Sequence, residues 1–376
     1  DKRTSILDQP ITSKNGSFPG SASSLRVSVT SHLAKFLKRA IFEKIKYRQT
    51  RLDHNFFDVI WPAMKKKSCE QRIDEDLNAG VIAPDFDVYV VFQEFFVPLI
   101  KDIHGLNQKD NFKEHPLMEY FPKNHTPENS TFRSHSPNPI SDKFHQDIHW
   151  NLDPTGKWVS SIVIECCRNL EEFELPLNLT IGKIEQCERI ITVKLLSKEF
   201  ANAINETGLG QYYTMNEVME NPSEIRTILA TNGLLIPFLD QSDSEQLPES
   251  QAVNGPFYPY GRGVYISASR TLVAWINVHE HLRILCCTPL SHVGDIGIAY
   301  TKVGRAVMFL ENCLNFRHSF FLGYLSSRPS FLGTSLRFSV SLDMPNLSKD
   351  PENLRQLCLV RDLHMKFRPN FDTITL

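Results

Sequence analysis

Residues 275–283 read Trp-Ile-Asn-Val-His-Glu-His-Leu-Arg, and this short stretch gathers His279, Glu280, His281 and Arg283. Each type has a chemical use. An imidazole can act as a general base, and a guanidinium offers a planar fork of donors that fits phosphate. A second candidate phosphate arginine, Arg337, closes Leu332-Gly333-Thr334-Ser335-Leu336-Arg337. A bland alternative stands beside each reading: the arginines can be structural partners of carboxylates, and the histidines structural or surface residues. Elsewhere, His145 and His149 lie four apart in His-Gln-Asp-Ile-His and could share a helix face. That string lacks the glutamate that a helical zinc-protease motif places directly after its first histidine. No metal site is expected there.

Elements must hold these side chains. The run Leu272–Ile276 is short, apolar and partly β-branched, which predicts a buried strand. Arg262–Tyr265 reads as a turn feeding it, and Leu282–Leu285 begins a second strand. Strand-like runs cover Trp158–Ile164, Thr271–Asn277, Leu282–Cys287, Phe320–Leu325 and Leu336–Leu342, while Glu185–Glu206 and Val303–Asn315 read as helices. Upstream, Leu33, Phe36, Leu37, Ile41, Phe42 and Ile45 recur at helical spacing. Phe56–Trp61 starts another helix that Pro62 interrupts or begins. Asp85–His104 is a third helical region, where Pro98 is expected to kink the helix or sit in a next first turn. Residues 1–30 are rich in Ser, Thr, Gly and Pro and read as a disordered tail. The polar stretch 106–150 reads as a linker or covering loop. Periodicity alone supports a mixed α and β chain.

The composition narrows the class. The chain has 376 residues, 41% hydrophobic and 22% charged, with a net charge of −2. These values fit a soluble globular protein of about two domains and give no general signal for nucleic acid. Lys65-Lys66-Lys67 reads as a solvated face. No apolar run has the length of a membrane span, and no secretory signal opens the chain. An opening Asp1 in place of Met fits a fragment. The eight cysteines include the adjacent pairs Cys166-Cys167 and Cys286-Cys287 and match no zinc module. Reduced, mostly buried thiols in a cytoplasmic protein are expected. The Asn-x-Ser/Thr triplets at Asn129 and Asn178 read as chance.

Several strings, in order, resemble the phosphagen (ATP:guanidino) kinases, and arginine kinase in particular. Phe42-Glu43-Lys44-Ile45-Lys46 is similar to Phe-Asp-Lys-Ile-Lys, and Phe96–Gly105 to Phe-Asp-Pro-Ile-Ile-x-Asp-Tyr-His-Gly. Asn151–Val159 is similar to Asn-Val-Asp-Pro-Glu-Gly-Lys-Tyr-Val, and 275–283 to Trp-(Ile/Val/Cys)-Asn-Glu-Glu-Asp-His-Leu-Arg. The resemblance implies an α+β fold: a small all-helical domain at 31–115, a linker at 116–156, and a large domain at 157–376 with an antiparallel sheet flanked by helices. It implies ATP with Mg²⁺ as cofactor and a guanidino molecule such as arginine as partner, if the chain is active. No nucleic-acid or membrane partner is implied, and no protein partner is identified.

The resemblance also implies site positions, and most are changed. Arg283 and Arg337 stand at retained phosphate arginines. The family's Ser-(Ser/Thr)-Arg-Val-Arg, laid on Ser160–Ile164, puts Ile162 and Ile164 at two clamp arginines. Ser341 falls at an adenine-contacting histidine and Asn232 near another ATP-site histidine. Val278 and His279 replace two glutamates, so no catalytic residue is expected with assurance beyond His279 at the glutamate position. Arg328 replaces a reactive cysteine that precedes proline. Phe371 falls in the counterpart of a glycine-rich closing loop near 366–371, and Gly80 and Val81 in a shortened substrate loop. The family's last helices have no counterpart before Leu376, so a truncated catalytic domain is expected. The resulting expectation is a pseudoenzyme on a kinase fold, with ATP binding weak or absent. The alternative is an active guanidino kinase with rearranged ligands.

Overall fold

A computed structural model describes residues 32–64, 81–121, 148, 150–220, 222–236, 255–346, 349–361, 363, 366–367 and 373–375. The expected tail at 1–30, Lys65–Lys67, Gly80, Asn129, His145, His149 and Phe371 lie outside the described residues.

Helices come first. They are α1 (His32–Phe36), α2 (Arg39–Ile45), α3 (Phe56–Met64), α4 (Val88–Val91) and α5 (Gln93–Ile103). The single periodic run from Ser31 is broken at Leu37-Lys38, and the third region at Phe92, whose φ of −111° and ψ of 32° leave the helical range. Pro62 and Pro98 both sit inside helices, rather than starting or stopping them. The core of this domain is aromatic: Phe56 packs edge-on against Phe92 and Phe95, and Phe96 against Tyr89 and Phe95. Such pairs add about 0.5–1.5 kcal/mol each beyond area burial.

Among the described residues, the second part is a sheet of eight strands in the order β2-β3-β4-β5-β1-β8-β10-β9, antiparallel throughout. Its strands are β1 (Val159–Arg168), β2 (Gln211–Thr214), β3 (Gly263–Ile266), β4 (Leu272–Val278), β5 (Glu280–Cys287), β8 (Leu336–Asp343), β9 (Lys366–Phe367) and β10 (Thr373–Thr375). β6 (His318–Ser319) and β7 (Gly323–Tyr324) form a separate hairpin. Two expectations are corrected here. Residues 263–266 are a strand, not a turn, because Val264 and Tyr265 pair with Trp275 and Ala274. The strand expected at Phe320–Leu325 shrinks to two residues, because Phe320 and Phe321 form an exposed hairpin tip.

Period-two alternation divides the sheet into two faces. One carries Ile162, Ile164, Cys166, Ala274, Ile276, Leu282 and Ile284. It packs under α6 (Ile181–Leu195), α7 (Lys198–Ala203) and α10 (Ile296–Cys313). The stretch expected as one helix at Glu185–Glu206 is thus two, with Ser197 capping the second through the Phe200 amide. The other face carries Val273, Trp275 and Leu285 against α8 (Met215–Met219) and α9 (Glu224–Thr231). A further helix, α11, covers Pro351–Leu359. Among the described residues no helix is long and apolar enough to cross a membrane.

The two parts meet through the segment 322–332. Leu332 is buried in the helical core, with Leu322 and Leu325 packed against it. The Ala83 amide donates to the Ser327 carbonyl at 2.6 Å, and the Tyr89 hydroxyl to the Ser326 carbonyl at 2.7 Å. His54 and the Pro84 carbonyl contact the two ends of the Asn178 amide at 2.9 and 2.7 Å, so that side chain serves packing between the domains.

Candidate functional site

The β4–β5 turn is tight: Val278 pairs with Glu280, and His279 alone spans the gap. Asn277 and His279 have φ of 57° and 66°, the left-handed region that asparagine and histidine enter more readily than most residues. Asn277 is pinned from both sides. Its amide donates to the carbonyls of Ile184 at 3.2 Å and Gly261 at 2.9 Å, and Cys187 Sγ donates to its oxygen at 3.1 Å. The turn is therefore a packed corner and not a loose loop.

Arg283 follows on β5, 3% exposed, and its fork is taken. Nε donates to Glu165 Oε1 at 2.8 Å and Nη2 lies 2.6 Å from the same oxygen. Nη1 lies 3.3 Å from His279 Nδ1. Arg328 Nη2 also meets His279 Nδ1. A guanidinium only donates, so Nδ1 must present its lone pair. His279 is thus an acceptor held between two arginines, buried at 8% exposure. Nδ1, the lone pair a general base would use, is therefore turned to cations of the chain itself.

Glu280 is not a spare acid. It is fully buried. It accepts from Asn169 Nδ2 at 2.5 Å, Ser326 Oγ at 2.8 Å, the Ser327 amide at 3.0 Å and Ser327 Oγ at 2.5 Å. These neutral donors hold the same segment that binds Ala83 and Tyr89, so Glu280 fastens the turn to the domain boundary. His281 is structural as expected. Its Nδ1 accepts from the Leu170 amide at 3.0 Å, so Nε2 carries the proton toward the Glu174 carbonyl at 2.8 Å. Burial, the largest cause, lowers its pKa to about 3.

The alternation of β1 corrects another expectation. Ile162 and Ile164 are fully buried on the helix-covered face, opposite the side that carries Arg283 and Arg337. Glu165 pairs with Leu285 and Arg337, and Val163 with Cys287 and Ser339. The β1 residues sharing a face with the two arginines are Ser161 and Cys167 and, between them, Val163 and Glu165. Moved one residue along, the arginine-rich pattern lands on them. Arg168 belongs to a different, internal cluster: it reaches Glu311 at 3.1 Å, the carbonyls of Cys167 and Thr334, and the Tyr120 hydroxyl.

Arg337 lies with its guanidinium 4.0 Å from the centroid of the Phe331 ring, and Arg283 lies 6.0 Å from the same ring. Phe331 is 1% exposed. Neither it nor Glu165 stood out as a site residue in the sequence. Ser341 shares the arginine-bearing face, opposite Ser161 on β1. Asn232 caps the end of α9 and donates to the Arg270 carbonyl at 3.2 Å. Val278 packs in the core beneath α8 and α9, and Val81 in the helical-domain core. Lys366–Phe367 and Thr373–Thr375 are not an open loop: β10 pairs with β8, and β9 pairs with β10 at the end of the sheet. Among the described residues no cluster of three or more His, Cys, Asp or Glu side chains is arranged to hold a metal ion.

Comparisons with known proteins agree with this architecture. Residues 28–101 match the ATP:guanido phosphotransferase N-terminal domain, and 192–369 its C-terminal catalytic domain. Arginine kinase of Schistocerca americana is 29% identical over 328 residues, covering 87% of this chain and 78% of that protein. Arginine kinase of Penaeus monodon is 28% identical over the same shares. Among solved structures, the duplicated taurocyamine kinase from Schistosoma mansoni, with bound transition state analog components, superposes with a TM-score of 0.65 at 23% identity. That match covers 92% of this chain and 42% of the duplicated one. Lombricine kinase superposes with a TM-score of 0.63 at 20% identity, covering 92% of this chain and 84% of that one. With both domains matched in the family's order, on a helical domain followed by an antiparallel sheet, the chain belongs to the ATP:guanido phosphotransferase, or phosphagen kinase, family.

Proposed function

We propose that this chain is a pseudoenzyme of the phosphagen kinase fold, which keeps the family's two-domain frame and has lost phosphoryl transfer to a guanidino substrate. The observation that carries the reading is the ion pair between Glu165 and Arg283. Phosphoryl transfer asks a protein for positive donors around the phosphates and for placement of the reactants. Here a carboxylate of the chain occupies the Nε and Nη2 donors of one retained arginine. A polyphosphate brought to that face meets Glu165 as a like charge. Two like charges about 4 Å apart repel by about 4 kcal/mol at the effective dielectric of a protein surface, close to a thousandfold in affinity.

The guanidino side fails for a similar reason. Family glutamates are replaced by Val278, which is in the core, and His279, which already accepts from Arg328 and Arg283. Glu280 is fully engaged by Ser326, Ser327 and Asn169. A guanidinium ligand would enter beside Arg328, a buried cation, with no carboxylate released to receive it. The residues present therefore do not fit ATP with Mg²⁺ and arginine together. One transition-state arginine is worth roughly 10³–10⁵ in rate and a positioned base roughly 10²–10⁴. Such losses overlap, yet together they would remove nearly all of a typical turnover of about 1–100 per second. The buried thiols fit the cytoplasm, the location proposed.

Calorimetric titration with Mg-ATP tests the reading. No heat of binding is expected up to millimolar nucleotide. A micromolar dissociation constant would overturn it in favour of an active kinase with rearranged ligands.

A further inference from the structure

A cavity of about 260 Å³ opens between α6 and β2, lined by Glu185, Glu188, Arg189, Thr192 and Tyr212. It lies on the helix-covered side of the sheet, where Tyr212 packs against the same core as Ile184 and Cys187. The arginine-bearing face described above is on the other side. The four α6 residues fall at i, i+3, i+4 and i+7, so one helix face forms a wall. The strand supplies the facing wall through Tyr212, which pairs with Tyr265.

The charges along this wall do not pair as their spacing would have them pair. A glutamate four residues before an arginine ordinarily joins it along a helix. Glu185 and Arg189 have that spacing, yet form no ion pair. Both carboxylates are turned to tyrosines instead: the Tyr260 hydroxyl donates to Glu185 Oε1, and the Tyr212 hydroxyl to Glu188 Oε1. A carboxylate has about four acceptor sites, and among the described residues nothing donates to either Oε2. Arg189 is exposed, and among the described residues its guanidinium has no hydrogen bond or ion pair. The buried Arg262 lies within electrostatic reach of Glu188, so two negative and two positive charges surround the space.

A net-neutral zwitterion matches that balance, with its ammonium at the carboxylates and its carboxylate at the Arg189 fork. Glu185 and Arg189 stand too far apart to pair, so the two ends of the ligand need a spacer between them. The volume is just below the roughly 300–1,000 Å³ of sites for drug-sized ligands, which suits a smaller metabolite. We propose that this cavity binds an ω-amino acid, with Glu185 and Glu188 receiving the amino end and Arg189 the carboxylate. The site is separate from the family's reaction, and the non-catalytic reading neither supports nor requires it.

4-Aminobutyrate is the probe, titrated calorimetrically into the full chain at fixed ionic strength, with butylamine and butyrate as single-charge controls. Saturable binding in the low-millimolar range is expected for the probe, at least threefold tighter than for either control. Arg189→Ala, at an exposed helix position that alanine suits, should weaken the probe at least threefold and leave butylamine unchanged. Glu188→Gln, which can still accept from Tyr212, should weaken the probe and butylamine together. Should it fail to fold, Glu185→Gln is expected to do the same. No saturable binding of the probe overturns the proposal. So does a probe affinity that Arg189→Ala leaves unchanged, or one that butylamine equals. Each of these results leaves the Mg-ATP test of the non-catalytic reading standing by itself.

Discussion

Replacing Glu165 by alanine perturbs the pair on which the functional reading turns. Arg283 is 3% exposed, and Glu165 takes both its Nε and Nη2 donors. Removing one partner of a buried pair costs about 3–5 kcal/mol, because the remaining charge is left in a dry site. Arg283 retains the His279 contact at 3.3 Å, so the lower end applies, about 3 kcal/mol. For a domain of this size that corresponds to a melting temperature lower by about 6–12 °C. The vacated fork should then accept an anion. Phosphate at about 100 times its dissociation constant would return about 2.7 kcal/mol, most of the loss. Thermal unfolding followed by circular dichroism, in phosphate against chloride at equal ionic strength, reads both effects. Expected are a large loss in chloride and a recovery in phosphate specific to the variant. If Glu165→Ala melts with the parent in chloride, or phosphate shifts both proteins equally, Glu165 is not the internal counter-ion of Arg283.

Three further outcomes follow from the same geometry. Glu280→Ala leaves the buried donors of Asn169, Ser326 and Ser327 unmatched, at about 1–3 kcal/mol for each unsatisfied group; hydrogen exchange should show the Ala83 amide losing protection, and an unchanged Ala83 would contradict the domain-fastening role. His281 has a folded pKa of about 3, below its usual value, so the unfolded chain takes up a proton first as pH falls. The stability it contributes is full above about pH 6.5 and is lost progressively toward pH 3, on the order of 5 kcal/mol in all; in urea titrations across that window, His281→Gln should show a shallower loss, and an unchanged slope would refute the assignment. The double change Arg328→Cys with His279→Glu removes a buried cation and adds a carboxylate, so calorimetry should detect arginine binding in the variant before any turnover appears.

The fold was legible where periodicity and apolar runs were long. The β4–β5 hairpin, β1, β8 and the helical first domain follow from β-branched runs and helical spacing. β3 was not, because Gly263-Val264-Tyr265 is too short to separate a strand from a turn, and only its pairing with Trp275 and Ala274 decides. The site was legible as a list of altered residue types. Its geometry was not. A one-residue offset on β1 exchanges a core face for a functional one, and this is why Ile162 and Ile164 took the attention that belonged to Val163 and Glu165. No local signal could show that Glu165 would meet Arg283 from a neighbouring strand, 118 residues away in sequence, or that Phe331 would lie against two arginines. Nor could any local signal show that Glu280 would be fully engaged, since its donors come from distant segments.

The central claim is that the family's reaction has been lost from a retained family fold. Its most direct test incubates the full chain at high concentration with Mg-ATP and arginine, and follows phosphoarginine by phosphorus NMR against a protein-free control. No phosphoarginine above the control is expected over hours. Formation that scales with protein and saturates with arginine would contradict the account.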